Sequence, residues 1–145
     1  MDLLFDRRLM STLLRAAFIF FLTISVSSCG FFDSGVVWRG GPYALMWIDL
    51  PDDVGLSYDA DNGAWLGRID PHVFAVGWDG HYLVAQQHPK GDKRVTNYFI
   101  IDSTKDSMKA EVKAVVIGPL TESEFGKKSV ELNLPTFSKV LESLR

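Results

Sequence analysis

Few side chains in this sequence are equipped for chemistry. Cys29 is the only cysteine among 145 residues, and it stands directly behind Val26-Ser27-Ser28. An ionised thiol is the strongest side-chain nucleophile, and a single one excludes an internal disulfide framework. Two small residues, Ser27 and Ser28, stand immediately before Cys29.

The remaining reactive groups form no catalytic pattern. His72, His81 and His88 make no HExxH motif and no pair at helical ligand spacing. One follows a Pro, one flanks a turn and one precedes a Pro. Exposed turn and loop positions are therefore expected for all three, with no metal site, because zinc needs at least three protein ligands. Asp59-Ala60-Asp61-Asn62-Gly63 invites a calcium reading. With Gly63 at the sixth position of an EF-hand loop, the first, third and fifth positions fall on Tyr58, Ala60 and Asn62, and the first two do not fit. A hairpin turn is the expectation there. No GxSxG elbow is present, and no spacing of Ser, His and Asp picks out a triad. Gly40-Gly41-Pro42 and Gly77-Trp78-Asp79-Gly80 match neither a P-loop nor a dinucleotide fingerprint. No catalytic residue and no cofactor are expected.

The aromatic side chains are the other candidates for recognition. Trp38, Trp47, Trp65 and Trp78, with Tyr43, Tyr58 and Tyr82, are many for a small domain. Exposed on a sheet, they would stack on sugar rings or grip a protein partner. Filling a β core is the stronger reading, since aromatics favour strands in any case.

The elements around Cys29 give it a setting. Arg7, Arg8 and Arg15 precede Ala16 to Val26, an uncharged run of apolar and small residues. The run has the length of a signal-peptide core and falls short of the roughly 20 residues of a membrane span. With Val26-Ser27-Ser28-Cys29 behind it, the N-terminus resembles the lipobox class of secreted bacterial lipoproteins. That resemblance implies a thioether-linked lipid on Cys29 and cleavage between Ser28 and Cys29. It also implies acylation of the new N-terminus, so that more than one chain anchors the protein stably. Residues 1–28 are then a signal peptide, 29–35 a short tether and 36–145 a single domain. Gly30 after the cysteine, by the usual sorting rule, permits transfer to the periplasmic side of the outer membrane in a two-membrane cell. In a one-membrane cell the address is the outer face of the cell membrane.

Charge narrows the partners. The chain carries −3, and residues 1–28, with three Arg and two Asp, carry +1, leaving −4 for the rest. An acidic domain has no footprint for nucleic-acid phosphates and no polybasic patch for anionic lipid. At 47% hydrophobic and 23% charged residues, the composition is that of an ordinary globular chain.

From Val36 to about Ile117, short runs of Val, Ile, Tyr, Phe and Trp alternate with Gly, Asp, Asn and Pro, the signature of an antiparallel meander. Asn62-Gly63 predicts a two-residue hairpin pairing Ala60 with Trp65 and Tyr58 with Gly67. Asp79-Gly80 predicts a second one pairing Trp78 with His81 and Val76 with Leu83, apolar on both faces and so central. His88 to Arg94 reads as an exposed loop, and residues 103–113 fit several conformations. Thr121 and Glu124 form a capping box, with Leu120 and Phe125 placed for a hydrophobic staple. That predicts a helix to about Leu132. Phe137, Val140, Leu141 and Leu144 follow at helical spacing behind Pro135, predicting a second helix. The fold class is α+β: an antiparallel meander of about five to seven strands with one or two C-terminal helices packed on it.

The part after Cys29 resembles a group of small bacterial lipoproteins known only as a domain of unknown function. The likeness rests on Trp38-Arg39-Gly40-Gly41, Tyr43 to Asp49, Phe74 to Asp79, Tyr82 to Gln87, Tyr98 to Asp102 and Gly118-Pro119-Leu120-Thr121. It implies no activity. The function expected is a lipid-anchored envelope module that binds a protein or glycan partner or serves structurally. The alternative is an inhibitor or immunity-type lipoprotein that blocks a cell-wall hydrolase through the His88 to Arg94 loop. A hydrolase ranks last.

Overall fold

The computed structural model describes residues 33–145. Val26, Ser27, Ser28 and Cys29 lie outside the described residues. Two meanders follow one another along the chain. The first is β1 (Ser34–Gly40), β2 (Tyr43–Ile48), β3 (Gly55–Asp59) and β4 (Trp65–Ile69), paired in that order. The second comprises β5 (Val73–Trp78), β6 (Tyr82–Gln87), β7 (Asn97–Asp102) and β8 (Val116–Leu120), with β9 (Lys139–Val140) added to the free edge of β5. A four-residue turn of helix α1 (Val112–Val115) precedes β8, and α2 (Glu122–Leu132) follows it. Every pairing is antiparallel. Ser34 and Gly35, expected in the tether, already pair with Ile48 and Trp47 in β1.

One core joins the two sheets. Tyr43, Leu45, Leu56 and Ile69 from the first pack with Val76, Leu83, Ala85 and Ile101 from the second. Trp38, Trp47 and Trp78 pack against this cluster from its margins, whereas Trp65 does not join it and lies under Arg39. A second cluster lies on the other face of β6 and β7, where Val84 and Ile100 meet Phe125 of α2. The expected central position of the second hairpin is thus confirmed, with Leu83, Val84 and Ala85 all at 0% exposure. Burial of so many β-branched and aliphatic side chains, at roughly 1.5–3 kcal/mol each, is the main force holding the domain.

Both hairpins differ in register from expectation, with different consequences. In the first, Asp59 rather than Ala60 pairs with Trp65, and the loop widens to Ala60–Ala64. The carboxylate of Asp59 accepts from the Asp61 amide and the side-chain oxygen of Asn62 from the Ala64 amide, each at 3.0 Å. These Asx turns organise a longer loop than the Asn-Gly pair alone would close. A slip of one residue reverses which side chains share a face, so Trp65 sits opposite Asp59, beneath the guanidinium of Arg39 at 4.8 Å. In the second hairpin, Trp78 pairs with Leu83 instead of His81. The turn centre moves to Gly80-His81, because Asp79 accepts from the amides of His81 and Tyr82 at 2.8 and 2.7 Å. A slip of two leaves the faces unchanged, so Trp78, Val76 and Leu83 still look the same way.

The C-terminus both confirms and corrects the sequence reading. Thr121 caps α2, accepting from the Glu124 amide at 3.3 Å while Glu124 accepts from the Thr121 amide at 2.8 Å. The helix ends at Leu132, with Asn133 in the left-handed conformation. The second helix does not form. Ser138 and Leu141 donate to the carbonyls of Val76 and Phe74 at 3.0 and 2.7 Å, so the segment completes the edge of the second sheet. Gly77 makes this approach feasible, since a Cβ there would collide with the Thr136 carbonyl oxygen. Covering the otherwise bare edge of β5 outweighs the helical pattern. The apolar residues still reach the core: Phe137, Val140 and Leu141 pack on it and Leu144 lies within it.

Candidate functional site

A cleft of about 660 Å³ lies where the first meander hands over to the second. The link Asp70-Pro71-His72, between β4 and β5, forms its floor, with Arg68 and Ile69 beside it. Phe99 of β7 and Val112 and Lys113 of α1 enclose another side, and Lys90 stands at a further one. This volume falls in the range of small-molecule sites.

The link is held from both directions. Gln87, at the end of β6, is 5% exposed and donates its amide to the carbonyls of Asp70 and Pro71 at 3.0 and 3.1 Å. His72 adopts φ +72°, left-handed backbone uncommon for a non-glycine residue. Its carbonyl accepts from the His88 amide at 3.0 Å, and its Nε2 lies 3.7 Å from an Asp53 carboxylate oxygen. Sparsely populated backbone of this kind persists only where its surroundings enforce it, and it gathers at binding sites.

Arg68 is the best-fixed charge at the cleft. Its Nε and Nη2 engage both carboxylate oxygens of Asp106 at 2.8–3.1 Å, and Nη2 also donates to the Ser107 carbonyl at 2.9 Å. The two side chains are 3% and 0% exposed. Tyr43 completes the group, its hydroxyl donating to Asp106 at 3.0 Å. Burial first, and then the Asp106 charge, push its phenol well above the ordinary range, so it remains a donor. Nη1 of Arg68 has only a long 3.4 Å bond to the Gly67 carbonyl. Lys90 and Lys113 take part in no ion pair among the described residues. The cleft thus offers cationic donors together with the carboxylates of Asp53 and Asp70. Among the described residues its lining carries no hydroxyl or thiol side chain. Such a wall can bind a ligand through charged and apolar contacts together.

A second polar cluster lies outside the cleft. His81 Nε2 is 3.1 Å from Asp102, which also accepts from the Thr104 hydroxyl at 2.7 Å and pairs with Lys105 at 3.0 Å. The Thr104 bond and the Lys105 charge outweigh burial and hold the Asp102 carboxyl at about 2. The hydroxyl donates to the carboxylate and not to the imidazole, so the group lacks the geometry of a nucleophilic relay.

The histidine expectations need one correction. His81 is exposed and His72 half-buried, but His88 is 5% exposed and stacks on Phe74 with ring centroids 4.2 Å apart. Its Nδ1 bonds to the Val95 carbonyl at 2.8 Å. The stacking partner comes from β5, across the sheet, which is why a His before Pro reads as exposed from the sequence alone. Trp38, Trp47, Trp65 and Trp78 line none of the cleft. Arg68, Asp70, His72, Lys90 and Lys113 do, and no local motif marks them. Arg68 alone carries a signal, a charge midway along an apolar strand, but its partner lies 38 residues away.

Strand order and cleft together define a small antiparallel β domain with a ligand-sized cavity of mixed charged and apolar lining at the join of its two sheets. The chain belongs to the family described as Protein of unknown function (DUF3997), whose model matches residues 41–142. No curated protein and no solved structure matches it.

Proposed function

We propose that this protein is a cell-envelope binding module, held to a membrane by lipid on Cys29, whose ligand occupies the cleft between the two meanders. The observation that carries this reading is the buried Arg68, locked by Asp106 at the wall of a 660 Å³ cavity. The buried pair fixes the wall against which a ligand would rest, so that wall loses little conformational entropy on binding. The mixture of Lys90, Lys113 and Arg68 with Asp53 and Asp70 suits a ligand bearing both charges, such as a peptide segment or a peptide-bearing glycan.

Photo-crosslinking from position 113 in intact cells tests the proposal, with position 61, in the loop at the far end of β4, as control. A discrete adduct from 113 that is missing from 61 supports it. No adduct, or the same products from both positions, overturns it. The anchor has its own test. Cys29→Ser should move the protein from the membrane to the soluble fraction, and unchanged retention rules out the lipid.

The inhibitor reading rests on a different observation. The 88–95 loop is braced by successive backbone turns and an Asp92–Arg94 fork at 2.8 Å. Lys93 also ties it to the C-terminal carbonyls of Ser143 and Arg145. A preorganised loop presenting Lys90 and Arg94 is the form a blocking element takes. Loss of a crosslinked hydrolase on Arg94→Glu, with the cleft adduct intact, would favour this reading.

A further inference from the structure

The cluster of exposed apolar side chains at one end of the first sheet points to a membrane-contacting surface. Ile48 and Leu50 are 58% and 59% exposed, and Val36 and Val37 are 43% and 38%. Register brings them together. Ser34 pairs with Ile48 and Val36 with Met46, so Val36 and Ile48 occupy one face of the β1–β2 ribbon on diagonal positions. Leu50 is turned outward by backbone geometry. Its amide donates to the Ile48 carbonyl at 2.9 Å across Asp49, whose φ is +69°. That is the tighter and more strained form of γ-turn, and it leaves a leucine in solvent.

The chain toward Cys29 leaves from this same end. Asp33 accepts from the Asp49 amide at 2.9 Å, and four peptide steps separate it from Cys29. They span at most about 14 Å. Two of the three residues in between are Phe31 and Phe32, a residue type that partitions into bilayer boundaries. A domain tethered so closely through this corner must keep it near the headgroups. Asp33, Asp49 and Asp52 flank the patch and are exposed, so an anionic bilayer would repel it. A neutral, zwitterionic bilayer would not.

We infer that Val36, Ile48 and Leu50 enter the headgroup–acyl boundary of a zwitterionic bilayer and fix the orientation of the domain on its anchor. The inference rests on the lipidation of Cys29. The Leu50 carbonyl also accepts from the amide of Asp53, which lines the cleft. The cleft therefore meets its ligand close to the membrane surface.

The absence of any other cysteine makes the test direct. Ile48→Cys and Leu50→Cys, each in the full chain purified from membranes with its N-terminal mass determined, take a nitroxide label at one site. Asp61→Cys, in the loop at the opposite end of the sheet, is the reference. In phosphatidylcholine–phosphatidylethanolamine vesicles, the ratio of oxygen to nickel-chelate accessibility should be several-fold higher at 48 and 50 than at 61. It should fall toward the reference when phosphatidylglycerol is added. Labels at 48 and 50 as water-accessible as the one at 61, on protein whose Cys29 carries lipid, overturn this inference and leave the anchor standing. Protein whose N-terminal mass shows no lipid overturns both.

Discussion

Arg68 and Asp106, 38 residues apart in the chain, form a two-point ion pair that is almost wholly excluded from water. The pair clamps the 103–111 segment against β4 and supplies one wall of the cleft. Removing one partner strands a charge in a poorly solvated place, which costs roughly 3–5 kcal/mol. Asp106→Ala should therefore lower the urea midpoint severely. Arg68→Met combined with Asp106→Leu should lose less than Asp106→Ala alone, because it leaves no orphan charge. Tyr43→Phe removes one hydrogen bond to the same carboxylate and should cost about 1 kcal/mol. Equal losses from the single and double variants would show that the pair acts only through packing.

Asp102 makes stability depend on acid. Its carboxyl is held at about 2 against an ordinary 3.8, so the folded state favours the charged form. The stabilisation is complete above the unfolded value and is lost as pH falls through the folded one. Between about pH 4 and pH 2 the domain should lose at most about 2 kcal/mol from this group. Asp102→Asn should be less stable at pH 6 and should flatten that part of the curve. A variant with the wild-type acid slope would place the dependence elsewhere.

Gly77 admits the C-terminal strand. Gly77→Ala sets a methyl against the Thr136 carbonyl and should cost about 1–3 kcal/mol by overpacking. The damage should be local first. Amide exchange at Ser138 and Leu141, which donate to β5, should accelerate more than exchange at Leu83 or Ile101. Uniform acceleration across the domain would mean that β9 does not open independently.

The cap of α2 offers a milder test. Thr121→Ala removes the hydroxyl that accepts from the Glu124 amide and should cost about 1 kcal/mol. Thr121→Ser keeps the acceptor and should recover most of it. Thermal denaturation of the two variants separates capping from loss of the threonine methyl group.

What could be read in the sequence was decided by near neighbours. The central strands, the existence of the two hairpins, the Thr121–Glu124 cap and the end of α2 depend on residues a few places apart, and these appear where their patterns put them. That the chain falls in a family of unknown function was also legible.

Register was only half legible. Asn62-Gly63 and Asp79-Gly80 mark turns, but Asp59 and Asp79 shift the closing pair by accepting backbone amides, a competition that composition does not rank.

The rest was settled by distant partners. The segment behind Pro135 carries a helical stripe and becomes a strand because β5 presents an unpaired edge and Gly77 leaves room for it. His88 is buried because Phe74 lies under its ring. The cleft exists because Arg68 meets Asp106 and because Gln87 grips the link at Asp70 and Pro71. By itself the sequence determined the local elements, whose energies close within a turn or two of chain. Only the tertiary structure decided edges, burial and the cleft, because each needs a partner supplied by another strand.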